Sequence, residues 1–597
     1  MIEAGSVRRD AGRHRRRPIR ARPGLLSIAL LAATGCATPS GHGVATDGTG
    51  ETQRTVFVAA AHPLAVEAGM EVLRKGGDAV DAAIAIQAML GLVEPQSSGL
   101  GGGAFMVRYD ARTRTVNVYD GRETAPAGAT PDMFLAPDGK PSPFSTVVVS
   151  GRASGVPGVA RMLALAHDRH GVLPWRDLFA TTARTADRGF PVTERTIRMI
   201  ALSGPKATAP DLVAYFRNGE GKPIKAGETL RNPAYAAFLR RLAAEGPDAL
   251  YRGETARRIV ARVHEGSLPG AMTERDLAGY RPVERAALCN PYRVYVLCVP
   301  PPPSSGVGLL ELMGMIERTD IGKRGPADPV AWVRFAEASR LMYADRDAYV
   351  GDVPDVPVKG MLAPDYIAAR AALVSDRLSP APAPGTPPGA GVARIDATGE
   401  VGGTSHFVVI DARGNAVSMT TTIESFFGSG RMVDGFFLNN QMTDFSFVPR
   451  GPNAIGPGKR PRSSMVPTVI LWPDRRLAGA IGSPGGNAIL GYVGKALTGM
   501  VEWKMPVAEA LALPNLIARG NAITGEAERF DARLSAGMAA RGLVIRGSAG
   551  ESSGLQGVLI HDGRFDGGAD PRRDGVARTE TVALPPARER RRTAAAR

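Results

Sequence analysis

Cysteine is nearly missing from this chain: three residues in 597, at Cys36, Cys289 and Cys298. That count excludes a disulfide-stapled scaffold and a cysteine-built metal cluster. Cys289 and Cys298 flank Asn290–Leu297 and leave two readings open, a local disulfide or two buried thiols. Long apolar runs are as scarce. Leu25–Ala33 is too short to span a bilayer as a mature helix, and no later stretch is long and apolar enough to do so. Aromatic residues make up 6% of the chain, and no basic stripe interleaves with them. A nucleic-acid-binding surface is therefore not expected. The glycine-rich run Gln96–Phe105 lacks the Gly-Lys-Ser/Thr of a nucleotide loop and leads into a strand rather than a helix. Acidic residues number 58 against 73 basic ones, a net charge of +15. Much of the excess lies in residues 1–36 and 586–597, which read as a targeting segment and a basic tail.

Glycine (72) and proline (47) are plentiful, and 44% of residues are hydrophobic and 22% charged. These values describe a globular protein with many turns and more than one ordinary domain core. The arginine-rich start, the apolar run and Thr34-Gly35-Cys36 read as an export signal of the bacterial lipoprotein type. Cys36 would carry the lipid anchor, and residues 37–55 would be a flexible tether. The alternative is an ordinary secretory signal cut after a small residue. Either places the protein outside the cytoplasm, in the periplasm or cell envelope.

The chain is organised around Val401–Glu424. Two runs rich in β-branched residues flank Asp411-Ala412-Arg413-Gly414-Asn415, which predicts a hairpin. Symmetry about Arg413 pairs Ile410 with Ala416, His406 with Thr420, and Thr404 with Thr422. Thr404 then opens the first strand, directly after Gly402-Gly403. A threonine hydroxyl needs an adjacent base to act as a nucleophile. Cleavage between Gly403 and Thr404 would supply one, the new α-amine of Thr404, with a reference pKa of about 7.7–8.0. His406, two residues on, is a competing base. The bland alternative is a turn into a core strand.

Elsewhere, His62-Pro63 starts a helix that Gly76-Gly77 ends. Asp78 caps a second helix, with Ala79, Ala83, Ile86 and Leu90 on one face. Residues 161–285 read mainly as helices, with helical periodicity over Leu242–Val263 and Glu274–Tyr280. A strand is expected at Val294–Val299 and a long helix at Asp328–Ala348. Pro380–Gly391 offers no packable side chains and should be extended or disordered.

From about Val58 to Arg572 the chain resembles the γ-glutamyltransferase (glutathione hydrolase) family. The resemblance is carried by Val58–Pro95, Gln96–Phe105, Asp120–Pro126, Val149–Ala160, Leu438–Phe445, Ser463-Ser464-Met465, Gly482–Gly486, Ala569–Arg572 and the Thr404 hairpin. It implies an α/β fold, the four-layer αββα sandwich of N-terminal nucleophile hydrolases. It also implies autocleavage at Gly403–Thr404 into a large subunit (56–403) and a small catalytic subunit (404–597) that form a heterodimer. Thr404 would be the nucleophile, Thr422 its assistant, and Gly485 and Gly486 the oxyanion hole. Arg122, Ser463 and Ser464 would hold the α-carboxylate of a γ-glutamyl group. Asp444, supported by Gln441, would hold its ammonium, and Glu424 would contribute there. The donors implied are glutathione and related compounds, and the acceptors are water, amino acids or dipeptides. No metal or organic cofactor is implied. Many relatives carry a longer loop with a lid tyrosine where this chain runs from Ser446 almost directly to Gly456-Pro457-Gly458. An open site favouring hydrolysis is expected. Two rivals stand: an acylase for glutaryl, cephalosporin or poly-γ-glutamate substrates, and a non-enzymatic envelope protein.

Overall fold

The computed structural model describes residues 53–396, 398–400, 402–547 and 553–583. The export signal, most of the tether and the basic tail lie outside the described residues. The strands that build the two main sheets are, in chain order, β1 (Gln53–Ala60), β2 (Gly103–Asp110), β3 (Thr115–Asp120), β4 (Val283–Ala286), β5 (Leu288–Tyr292), β6 (Tyr295–Val299), β7 (Thr404–Ile410), β8 (Ala416–Thr422), β9 (Thr468–Leu471), β10 (Leu477–Gly482), β11 (Gln556–His561), β12 (Arg564–Ala569) and β13 (Val576–Ala583). One sheet runs β13-β1-β7-β8-β2-β3-β4 and the other β12-β11-β10-β9-β6-β5, with antiparallel pairing throughout. The first strand begins at Gln53, inside the stretch read as tether.

Side-chain alternation along the strands divides the interior. Phe407 and Val409 of β7, with Val417 and Met419 of β8, pack into one core together with the helices α1 (Pro63–Arg74) and α2 (Ala79–Val93). Val408, Ile410 and Ala416 join a second core with Leu297, Val469, Ala480 and Ile481 of the facing sheet. That second core also holds α3 (Gly306–Glu317), α4 (Pro329–Tyr349) and α5 (Ile489–Leu497). The result is helices, sheet, sheet, helices.

The helix signals act as expected. His62 Nδ1 accepts from Leu64 N, and Asp78 forms a capping box with Asp81. The second helix is buried on every side rather than on one face. The long helix runs from Pro329 with Asp328 as its cap. The helical periodicity over Leu242–Val263 falls on three helices, Pro233–Glu245, Asp248–Tyr251 and Gly253–His264. Gly246 at φ 70° breaks the first, and the extended Arg252 separates the second from the third. Val294 is likewise outside the strand, which starts at Tyr295. Cys289 and Cys298 face each other across β5 and β6 and form a disulfide. Residues 380–391 carry no helix or strand. They are tied to the body where Gly385 N donates to Asp345 and Tyr349 Oη donates to Gly385 O.

Candidate active site

The hairpin has the expected register: Ile410 opposite Ala416, His406 opposite Thr420, and Thr404 opposite Thr422. Asp411 fixes its turn by accepting from the backbone N–H of Arg413 and of Asn415. Thr404 and Thr422 lie on the strand faces that turn toward the second sheet, and both are buried. Thr404 Oγ1 donates to Thr422 Oγ1 at 3.3 Å. Thr422 Oγ1 donates onward to the carbonyl of Gly403 at 2.8 Å and accepts from Glu424 N at 2.8 Å. A hydroxyl has one proton, and Thr422 commits it to Gly403, so its lone pairs face Thr404 and Glu424. One side chain thus polarises the Gly403 carbonyl and orients the Thr404 oxygen beside it.

The surroundings hold this arrangement in place. In the glycine-rich loop, a Cβ on Gly102 would sit 2.0 Å from the Thr422 carbonyl oxygen. That loop packs closely against β8. Arg573 Nη1 donates to Thr404 O at 2.8 Å, and Ser405 Oγ donates to Glu94, which is itself paired with Arg195. The Gly485-Gly486 loop lies against Gly402: a Cβ on Gly402 would be 3.5 Å from Gly485 Cα and 3.8 Å from Gly486 N. Both glycines have positive φ, 132° and 53°. His406 hydrogen-bonds Thr420 at 2.9 Å rather than Thr404. Burial pushes its pKa down to about 3, so it is neutral.

Thr404, Thr422, Glu424, Arg122, Gln441 and Asp444 line one small cavity, together with Glu400, Ser463, Ser464, Met465, Gly486 and Ile489. Arg122 donates to Asp444 Oδ2 at 2.6 Å and to Arg462 O at 2.9 Å. Gln441 Nε2 donates to the same Asp444 oxygen at 2.5 Å. Asp444 Oδ1 is buried without a hydrogen-bond partner. Burial raises the Asp444 pKa well above the carboxylate range; Arg122 opposes the shift, while Glu424 and Glu400 add to it. Glu424, bonded to Asn440, adopts a left-handed φ of 78°. This acidic corner suits a cation, while Arg122 and the serines suit an anion.

The Ser464 hydroxyl accepts from Arg346, not Arg122, at 2.8 Å. Sequence reasoning misses Arg346, Glu400, Arg573, Glu94 and Arg195. Arg346, Arg573, Glu94 and Arg195 meet the site across stretches of chain that no local pattern bridges, and Glu400, though near Thr404 in sequence, is placed by contacts to Arg346 and Ser464 that no local pattern shows.

Two antiparallel sheets face to face between helical layers define the class of N-terminal nucleophile hydrolases. The sequence model of the gamma-glutamyltranspeptidase family matches residues 65–579, and the chain belongs to that family. It is 36% identical over 542 residues to the glutathione hydrolase proenzyme of Bacillus subtilis (strain 168), covering 87% of this chain and 91% of the relative. It is 39% identical over 479 residues to the glutathione hydrolase proenzyme of Bacillus subtilis subsp. natto, covering 77% and 80%. Among solved structures, the cephalosporin acylase from Bacillus halodurans superposes with a TM-score of 0.75 at 25% identity, over 92% of this chain and 99% of that one.

Proposed function

We propose that the protein is a γ-glutamyl hydrolase and transpeptidase that matures by cleavage at Gly403–Thr404 and uses Thr404 as its nucleophile. The observation that carries this reading is the directed chain from Thr404 Oγ1 to Thr422 Oγ1 to the Gly403 carbonyl. In maturation, Thr404 Oγ1 attacks the Gly403 carbonyl carbon, and the acyl group passes from nitrogen to oxygen. Water then hydrolyses the ester, leaving a carboxylate on Gly403 and a free amine on Thr404. In turnover, that amine takes the proton as Thr404 Oγ1 attacks the γ-amide of the donor. Backbone N–H groups of Gly485 and Gly486 receive the oxyanion. The donor's amine leaves and a γ-glutamyl ester of Thr404 remains. Water or an acceptor amine such as an amino acid or dipeptide resolves it.

Arg122, Ser463 and Ser464 take the α-carboxylate; Asp444, Gln441 and Glu424 take the ammonium. The likeness to glutathione hydrolases supports glutathione or a related compound as donor. The Cys289–Cys298 disulfide supports export to an oxidising compartment, and the lipoprotein-type signal before Cys36 is the ground for proposing Cys36 as lipid anchor.

The acylase reading draws on the likeness to the cephalosporin acylase. A glutaryl group is a glutamyl group without its ammonium, so it leaves the unpartnered Asp444 oxygen buried and unmatched. The test is kcat/KM for a γ-glutamyl anilide against a glutaryl anilide, with Thr404→Ala as control. Preference for the γ-glutamyl donor by at least tenfold is expected, with no turnover by the variant. Preference for the glutaryl donor would establish the acylase, and a wild type inert to both would leave the non-enzymatic protein.

A further inference from the structure

The uncleaved chain places one of its own glutamates in the cavity. Glu400, four residues before Thr404, lines it and accepts from Ser464 N at 2.9 Å. Its other carboxylate oxygen pairs with Arg346 Nη2, the same nitrogen that donates to Ser464 Oγ, and lies 3.7 Å from Arg462 Nε. Arg346, Arg462 and Glu400 are all buried. Burial alone would raise the Glu400 pKa, but Arg346 and Arg462 hold it down to about 2.

Within the cluster of ion pairs that Arg346 joins, Glu400 supplies one of three carboxylates facing three arginines. Arg346, Arg462 and Arg519 face Asp347, Asp396 and Glu400. Asp396 is firmly tied. Its N–H donates to Asp347 O at 3.0 Å, and its carboxylate pairs with Arg462 at 3.1 Å and accepts from Asn453 at 2.8 Å.

Among the described residues, that backbone bond from Asp396 to Asp347 is the last before Thr404 that joins the segment to α4. Beyond it, Arg519 reaches Thr398 O only at 3.4 Å. The Glu400 side chain and the bond from Asn487 N to Glu400 O then hold the segment in the cavity. A donor carbonyl must occupy the place that the Gly403 carbonyl occupies before cleavage. The residues joined to Gly403 therefore have to leave, and Glu400 leaves with them. Arg346 then keeps Asp347 as its counter-charge, which it shares with Arg519. Three arginines are then left to share two carboxylates, so the cluster carries one positive charge in excess.

We propose that Arg346, with the Ser464 N–H, forms a carboxylate subsite that Glu400 fills in the uncleaved chain and the α-carboxylate of the donor fills in the mature enzyme. This rests on the γ-glutamyl reading above and adds Arg346 to the residues that position the donor. The uncleaved chain thereby holds its own cleavage segment in register and shuts out ligand, and cleavage opens the subsite.

The test compares Arg346→Gln with the wild type, both matured, on γ-glutamyl anilide and on the same donor with its α-carboxylate converted to an amide. The expected result is a KM at least tenfold higher for the carboxylate donor, a KM within twofold for the amide donor, and similar kcat for each. Equal KM changes for both donors would overturn the subsite alone. A wild type that turns over neither donor overturns the γ-glutamyl reading and the subsite with it. Should Arg346→Gln fail to mature, a second measurement decides: free L-glutamate is titrated against the melting temperatures of mature wild type and of uncleaved Thr404→Ala. A rise in the mature protein and none in the uncleaved chain is expected, and equal rises in both would overturn the proposal.

Discussion

Thr422 carries two duties through one hydroxyl. It accepts from Thr404 and donates to Gly403, and Glu424 N–H fixes its orientation. Thr422→Val keeps the shape and removes the donor. Loss of one oxyanion-type donor costs about 10²–10³ in rate, so maturation of Thr422→Val should slow by about that factor, read from the appearance of the two fragments. Thr422→Ser should restore most of the rate. Maturation of the valine variant at the wild-type rate would remove Thr422 from the chemistry. Glu123 makes a different prediction. Its carboxylate is fully buried beside Arg122 with no side-chain hydrogen-bond partner, and burial pushes its pKa up to about 7 against the partial opposition of Arg122. The unfolded chain releases this proton near pH 4.5 and the folded chain near 7. Stability is therefore unaffected below pH 4.5 and falls as pH rises from 4.5 to 7. At 1.36 kcal/mol per unit, the cost above pH 7 is about 3 kcal/mol. Glu123→Gln should match the wild type in denaturant unfolding at about pH 4 and exceed it at about pH 7.5. The same difference at both pH values would contradict this.

Among the elements, the β7–β8 hairpin is the one the others serve. Its register was legible because the turn residues and the β-branched runs fix a two-residue period, and one slip would turn every side chain to the wrong face. Thr404 and Thr422 could be paired on that ground alone. The contacts that brace them could not. Glu94 reaches Ser405 from the end of α2, and Arg573 reaches Thr404 from beyond β12. Such pairings depend on how distant segments pack, which local pattern does not encode. The same limit explains why the breaks within Leu242–Val263 were not legible: periodicity continues through Gly246-Pro247 and Arg252, where the helical backbone does not. The crowding of the glycine-rich loop can be tested. Gly102→Ala places a methyl against the Thr422 carbonyl. It should displace β8 at its end and block maturation while leaving a folded, uncleaved chain on gel filtration. Normal fragment yield would show that this loop does not position Thr422.

At the scale of the molecule, the proposed cleavage at Gly403–Thr404 would divide a single sheet. In the order β13-β1-β7-β8-β2-β3-β4, strands β13, β7 and β8 follow the cleavage point and β1, β2, β3 and β4 precede it. The second sheet joins β9 to β6 across the same divide. The two fragments are therefore interleaved and should stay together as the heterodimer expected from sequence. The chain has no tyrosine between Tyr366 and Tyr492, so the lid tyrosine of the resemblance has no counterpart in the Ser446–Pro461 loop. An open site gives bulk water access to the ester. With equimolar γ-glutamyl anilide and glycylglycine at modest concentration, free glutamate should exceed the transfer product; dominant transfer would contradict it. The most direct test of the whole account is the intact mass of the purified protein beside Thr404→Ala. The account predicts two co-purifying fragments from the wild type, the smaller beginning at Thr404, and one whole chain from the variant. A folded wild type that stays whole would leave Thr404 without its amine base and contradict the central claim.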